Sequence, residues 1–335
     1  TGDLTQPGGW NAFLDKLTDL KSSEGGACQT LYYGIAPDTD LPYVYGGMGW
    51  YWTRASVGVN GATIVHEAGH NFGLPHAPCG VQDADPKYPY PGGLIGQWGL
   101  DVYNLAVFDP STTYDLMSYC GSDIFSDYNY EKLFNAEGNG IQGEPVSADQ
   151  ALLVRGVFDA DGEFTLKPVY TITDVLVEQP AKGDVNVELL DASGQVVAVE
   201  PVTVLEADEG QTTYRGINAL VPLPEQPVSA LRLVREGVVL AERALSAPTS
   251  AVTRTAVIDD SSGYPRLTWE DETIPVLVRM SQDGGITWQT LGIDVSGGAM
   301  NLQGIDLSGK QSEFEMIPAD SMSGSAVKVS YNQHP

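Results

Sequence analysis

Basic residues are scarce in this 335-residue chain, where 17 lysines and arginines stand against 44 aspartates and glutamates. The deficit runs through both halves, with 5 basic and 17 acidic residues up to Pro145 and 12 and 27 beyond it. That balance disfavours nucleic acid and anionic membrane as partners, and neither is expected. A solubility- or salt-adapted surface is the simpler account of the excess acid than steering of a basic substrate. No apolar run approaches the roughly 18 residues of a membrane span, and no stretch near Thr1 has the basic-then-apolar layout of a signal peptide. The second absence argues against a membrane anchor only, because a leader can be removed. Cysteine is sparse too, at positions 28, 79 and 120. An odd count leaves at least one thiol unpaired within the chain, while in an exported protein the other two can close one disulfide. Of only four histidines, three fall between His66 and His76, and the fourth, His334, sits in the tail.

The length suggests two or three domains. Trp10, Phe13, Leu14, Leu17 and Leu20 follow Pro7 at helical spacing and predict an amphipathic helix ending near Gly25-Gly26. A strand from Thr30 to Ala36 is stopped by Pro37 and the polar Asp38-Thr39-Asp40. The Gly- and aromatic-rich run from Tyr43 to Tyr51 suits either the edge of a cleft or an ordinary edge strand. A helix is predicted over about Gly61 to Phe72 and another from Asp127 to about Ala136 with Ser126 at its N-cap. The stretch from Gly80 to Tyr114, dense in Pro, Gly and Tyr, reads as an ordered, loop-rich wall. The Gly-rich Glu137 to Pro145 marks a boundary. Beyond it the pattern changes to short alternating strands, with hairpin signatures at Val185–Val199 and Leu231–Leu240. Ser246 to Thr253 reads as a linker to a second β segment. Ser281 to Trp288 resembles a single Asp-box hairpin, which is read as a structural turn. The acidic turns Asp83–Asp85 and Asp159–Gly162 complete no calcium-binding pattern.

The segment His66-Glu67-Ala68-Gly69-His70-Asn71-Phe72-Gly73-Leu74-Pro75-His76 carries the chemistry. Histidines four apart on a helix are rotated by only about 40 degrees, so both imidazoles project from one face. Gly73 lets the chain turn sharply and Pro75 prevents the helix from resuming, which returns His76 toward the same point. Three neutral imidazoles leave a fourth coordination position for water, the open geometry of a catalytic zinc. Glu67 follows the first histidine and reaches that water without being a ligand.

This segment resembles the H-E-x-x-H-x-x-G-x-x-H signature of metzincin zinc peptidases at all five fixed positions. Tyr114 to Tyr119 resembles the family's Met-turn, with Met117 as an apolar floor beneath the imidazoles. The resemblance covers roughly Thr1 to Ala136. It implies one Zn2+ held by His66, His70 and His76, Glu67 as general base, and Tyr119 stabilising an oxyanion at the metal. It also implies a strand before the first helix, which is not seen, so the chain is expected to begin inside the domain. Both Cys79 and Cys120 would then flank one metal site, which favours a Cys79–Cys120 disulfide and leaves Cys28 free or paired outside the chain; three buried thiols are the alternative. The flanking residues most resemble large bacterial secreted metzincins, some of which cleave mucin-like glycoproteins.

The expected architecture is an α+β metzincin-like catalytic domain over 1–143, followed by two all-β sandwich domains of immunoglobulin or fibronectin-III kind over 144–247 and 248–335. The expected function is that of a secreted or extracellular bacterial zinc endopeptidase, monomeric and without membrane insertion. Its expected partner is a protein or glycoprotein substrate. The alternative is a cell-surface or matrix adhesion protein in which the zinc domain is auxiliary.

Overall fold

A computed structural model describes residues 2–24, 30–37, 43–59, 61–102, 104–121, 124–139, 146–177, 183–209, 212–246, 256–259, 265–270, 273–307, 311–322 and 326–331. Cys28, the Gly25-Gly26 helix end, Asp38–Asp40, the boundary at 140–145 and nearly all of the 246–253 linker lie outside the described residues. The chain forms two compact units. The first comprises Thr1–Thr18, Cys28–Gln142 and Leu205–Arg215, and the second Asp19–Ala27, Gly143–Val204 and Gly216–Pro335.

The elements up to residue 139, which belong to the first unit except for the end of α1 from Asp19 onward, run in the order α1 (Pro7–Ser23), β1 (Tyr32–Ile35), β2 (Gly47–Gly49), β3 (Ala55–Gly58), α2 (Gly61–Asn71), β4 (Gly99–Asp101), β5 (Ala106–Phe108) and α3 (Asp127–Asn139). Proline suits the first turn of α1, where its missing N–H is not needed. Trp10 and Leu14, one turn apart, are fully buried, and the Trp10 indole donates to the Leu4 carbonyl at 2.8 Å. β3 is central in a three-stranded sheet, parallel to β1 and antiparallel to β2. All four of its residues are buried, which is why it shows no polar alternation. Met48, Trp50, Ala55 and Val57 join Trp10 and Leu14 in one core.

Leu205–Arg215 completes that core. Ala207 is fully buried in it, and Tyr214 stacks on Trp50 with ring centroids 5.2 Å apart and donates its hydroxyl to Asp15 at 2.8 Å. A smaller core of Leu74, Ala77 and Met117 lies with Tyr88, Phe125 and Leu133. The Ser126 hydroxyl caps α3 by accepting from the Asn129 N–H at 3.2 Å.

Fifteen of the remaining strands fall wholly or largely in the second unit, and they are numbered on from β5 with one more, β11, that belongs to the Leu205–Arg215 segment. They are β6 (Val146–Phe158), β7 (Phe164–Leu166), β8 (Tyr170–Val177), β9 (Val185–Leu190), β10 (Val196–Val202), β11 (Leu205–Glu209), β12 (Thr212–Pro222), β13 (Ala230–Arg235), β14 (Val238–Ala244) and, further on, β15 (Ala256–Asp259) and β16 (Arg266–Trp269). The chain closes with β17 (Val276–Ser281), β18 (Gln289–Val295), β19 (Ala299–Asn301), β20 (Ser312–Pro318) and β21 (Val327–Tyr331). A sheet ordered β10-β9-β13-β14 shares a core with β12-β6-β7, to which Leu152, Val154, Val187, Leu189, Leu231 and Leu233 contribute. The sheets β15-β16-β19 and β18-β17-β20-β21 enclose another around Leu267, Val278, Phe314 and Met316. Sheets packed in this way are compatible with β-sandwich domains.

From Ala151 onward β6 is buried on both faces. Leu152 and Val154 enter one core, while Ala151 and Leu153 enter a third with Tyr170, Ile172, Leu277 and Ile317. The Asp-box segment is a closed turn, with the Asp283 carboxylate accepting from the Ile286 and Thr287 N–H groups and the Thr287 hydroxyl. These bonds hold the Asp283 pKa down to about 2. Among the described residues no helix is long and apolar enough to cross a membrane.

Candidate metal centre

α2 sets the His66 and His70 rings 4.9 Å apart, centroid to centroid, on one face. The helix is closed by Gly73, whose φ of 80° is left-handed and whose missing Cβ leaves room for the Trp52 ring. The Gly73 N–H donates to the His70 carbonyl at 2.8 Å and the Leu74 N–H to that of Gly69 at 2.9 Å, the paired bonds of a Schellman terminus. The chain then comes back through Pro75, and the His76 ring lies 4.6 Å from His70 and 5.3 Å from His66. One potential ligand atom from each of the three lies within 4.8 Å of the other two.

The second ring nitrogen fixes the tautomer. His66 Nδ1 donates to the Leu116 carbonyl and His70 Nδ1 to the Leu74 carbonyl, each at 2.8 Å, because a carbonyl can only accept. Both Nε2 atoms are therefore lone pairs. The Nε2 atoms of His66, His70 and His76 are all buried and none has a hydrogen-bond partner. A buried polar atom left without a partner costs about 1–3 kcal/mol, so three of them collected at one point fit a cation that accepts three nitrogens. Among common ions that donor set suits zinc.

Electrostatics keeps the set ligand-ready. Burial lowers the His66 pKa; burial and the neighbouring imidazoles drive His70 well below its ordinary value; and burial, with His66 beside it, takes His76 down to about 3. For chelator-treated protein the sign follows by linkage. Below the unfolded value of about 6.5 the unfolded chain takes up protons that the folded imidazoles refuse, so stability is lost as pH falls. The Tm of chelator-treated protein is expected to drop between pH 7 and pH 5 in calorimetry. A Tm that holds constant or rises over that interval would contradict the environment described.

Glu67 is buried on the same helix, and β2 passes directly against it. A Cβ on Gly47 would lie 2.4 Å from Glu67 Oε1, so only glycine lets the strand approach so closely. Met117 is fully buried with its sulfur against Gly69, where a Cβ would stand 2.5 Å away, and its carbonyl accepts from the Ala77 N–H at 2.9 Å. The Tyr119 ring lies 4.9 Å from that of His76 and 6.0 Å from that of His66, and it is half exposed. A disulfide joins Cys79 to Cys120, tying the segment after His76 to the segment after Met117.

Two supporting residues are not singled out by sequence pattern. The fully buried Asp115 carboxylate accepts from the Met117 N–H at 2.7 Å, the Ser126 N–H at 2.7 Å and the Asn129 amide at 3.0 Å. It thereby fixes the turn whose Leu116 carbonyl orients His66. Tyr51 sets its ring edge-on to His70 at 5.1 Å and donates its N–H to the Glu206 carbonyl at 2.9 Å. Asp115 lies inside the Met-containing segment and is legible as an acid among apolar neighbours, whereas the link from Tyr51 to Glu206 spans too much chain to leave a local signal.

The family model described as Peptidase M66 matches residues 16–135. Dictomallein from Burkholderia pseudomallei (strains 1710b and K96243) and from Burkholderia mallei (strain SAVP1) is 35% identical to this chain over 100 residues in each case. That match covers 27% of this chain and 14% of each relative. The chain thus spans a small part of the length of the curated relatives it matches.

Proposed function

We propose that this protein is a secreted zinc-dependent endopeptidase of the metzincin type. The observation that carries the reading is the meeting of three buried, unpartnered Nε2 atoms, with a buried glutamate, Glu67, directly after the first of these histidines on α2. The peptidase match over the same stretch of sequence supports it. His66, His70 and His76 would hold the ion, with the Leu116 and Leu74 carbonyls keeping the first two rings in the ligating tautomer.

When bound, zinc supplies Lewis acidity, which brings the pKa of a water to about 7 and polarises a carbonyl oxygen. Glu67 accepts a proton from the attacking water as its oxygen bonds to the scissile carbonyl carbon. It returns that proton to the amide nitrogen as the C–N bond breaks and the amine leaves. Tyr119, half exposed beside His76, donates its hydroxyl toward the negative charge that develops on the carbonyl oxygen. Met117 and the Cys79–Cys120 bridge hold the loops that carry these groups. Extracellular proteins, including glycoproteins, are the substrate class, and the disulfide suits an oxidising compartment.

Hydrolysis of casein provides the test. 1,10-Phenanthroline is expected to reduce cleavage by at least about tenfold, and added Zn2+ to restore it. Cleavage indifferent to the chelator would refute the assignment.

A further inference from the structure

The segment between the third histidine and the Met117 turn builds a two-stranded ribbon whose apolar face points outward. The Leu94–Tyr114 bridge and the Ile95 N–H bond to the Thr113 carbonyl at 3.0 Å form its base, three residues before Met117. β4 and β5 continue it, with Gly99 opposite Phe108, Leu100 opposite Val107 and Asp101 opposite Ala106. Alternation places Trp98, Leu100 and Val107 on one face, and Val102 and Leu105 extend it at the turn. All five are exposed, from 57% at Leu100 to 78% at Leu105. The other face is the packed one, since a Cβ on Gly99 would meet Ile124. Among the described residues the two strands pair only with each other. A contiguous apolar face of this kind on an otherwise acidic protein marks a place where something binds.

Charge narrows what binds there. Between Arg54 and Lys132 the only lysine or arginine is Lys87, and the ribbon itself carries Asp101 and Asp109. A second copy of this chain, with a net charge of −27, would bring like charge against like. An anionic bilayer meets the same repulsion.

We propose that this face seats an extended polypeptide segment of alternating apolar and basic residues, a stretch of the substrate outside the scissile bond. The proposal rests on the peptidase reading for the word substrate, but the surface and its chemistry stand apart from it. Apolar side chains of the segment cover Leu100, Val107 and Trp98, and its Lys or Arg side chains meet Asp109, which alternation places on the same face as Val107.

Fluorescence anisotropy tests this on the whole chain with two labelled peptides of about twelve residues, one alternating Val with Lys and the other Val with Glu. The comparison is with Leu100→Thr/Val107→Thr, which keeps strand-forming residues while removing the apolar face. Binding is read with chelator present, so it does not depend on hydrolysis. The Val-Lys peptide is expected to bind the wild type about tenfold more tightly than it binds the variant, and the Val-Glu peptide to bind neither. In the active protein the variant should raise KM for the Val-Lys peptide and leave cleavage of a peptide of about four residues unchanged. Equal affinity of variant and wild type, or preference for the Val-Glu peptide, would overturn the proposal. So would a variant whose only defect is loss of a dimer in sedimentation velocity, or loss of binding to phosphatidylcholine vesicles. A wild type that binds the Val-Lys peptide and cleaves nothing would sink the peptidase reading while leaving the ribbon's role standing.

Discussion

Glu67→Gln is expected to lower kcat by a factor of about 10²–10⁴ while zinc content stays at one ion per chain. The two halves of that result come from different atoms. The three Nε2 atoms and the carbonyls that orient two of the rings are untouched by the change, so the ion keeps its ligands. Glutamine has almost the same shape as glutamate and fits the narrow space beside Gly47, so the fold is kept as well. What disappears is a group able to take a proton from water and hand it on. The check is a kinetic assay beside metal analysis of the same preparation. Retained turnover would show that another group acts as the base, and loss of zinc would show that Glu67 serves the metal rather than the water.

Arg155→Met should have the largest effect on stability, a loss of about 3–5 kcal/mol, because it takes the cation away from the buried carboxylate of Asp19 as well as from the more exposed Asp294. The Arg155 side chain is 1% exposed; it donates to Asp19 at 2.6 Å, to Asp294 at 2.7 Å and to the Pro168 carbonyl at 3.0 Å. The flanking charges of Asp19 and Asp294 outweigh burial and hold the guanidinium protonated. Tyr170 adds a hydroxyl to Asp294 at 2.7 Å. Removing Arg155 leaves Asp19 charged and out of water, whereas removing both charges does not. The double variant Arg155→Met/Asp19→Leu is therefore expected to recover much of the loss in urea unfolding. Equal destabilisation of single and double variants would mean that packing rather than charge is at stake.

The parts of the structure legible in the sequence are those written by near neighbours. α2 was readable because its histidines, its terminating Gly73 and the returning Pro75 all lie within eleven residues. α1 was readable because Trp10, Leu14 and Leu17 repeat at the helical period, and the Ser126 cap of α3 because its partner is three residues away. The hairpins Val185–Val202 and Ala230–Ala244 announced themselves by alternation with a turn between. Where that logic fails, a physical reason is at hand. β3 and the part of β6 from Ala151 onward are covered on both faces, so no polar alternation marks them. The β4–β5 ribbon turns its apolar residues to solvent, so the pattern of a half-buried strand is inverted and the stretch from Gly80 to Tyr114 reads only as loop. Asp115 satisfies its charge with backbone N–H groups brought from Ser126 and Met117, which a spacing rule does not register.

The contribution of Leu205–Arg215 bears on how this protein could be produced in pieces. A fragment ending after α3 retains the imidazoles, Glu67 and the bridge between Cys79 and Cys120. It would nevertheless leave the Trp50 indole bare where Tyr214 had lain, and open a void in place of Ala207. The backbone of Tyr51, which braces His70, would lose its acceptor at Glu206. The smallest self-sufficient recombinant version of the half that carries the three clustered histidines therefore runs past residue 215, and sequence similarity ending near residue 135 is a poor guide to where the gene should be cut.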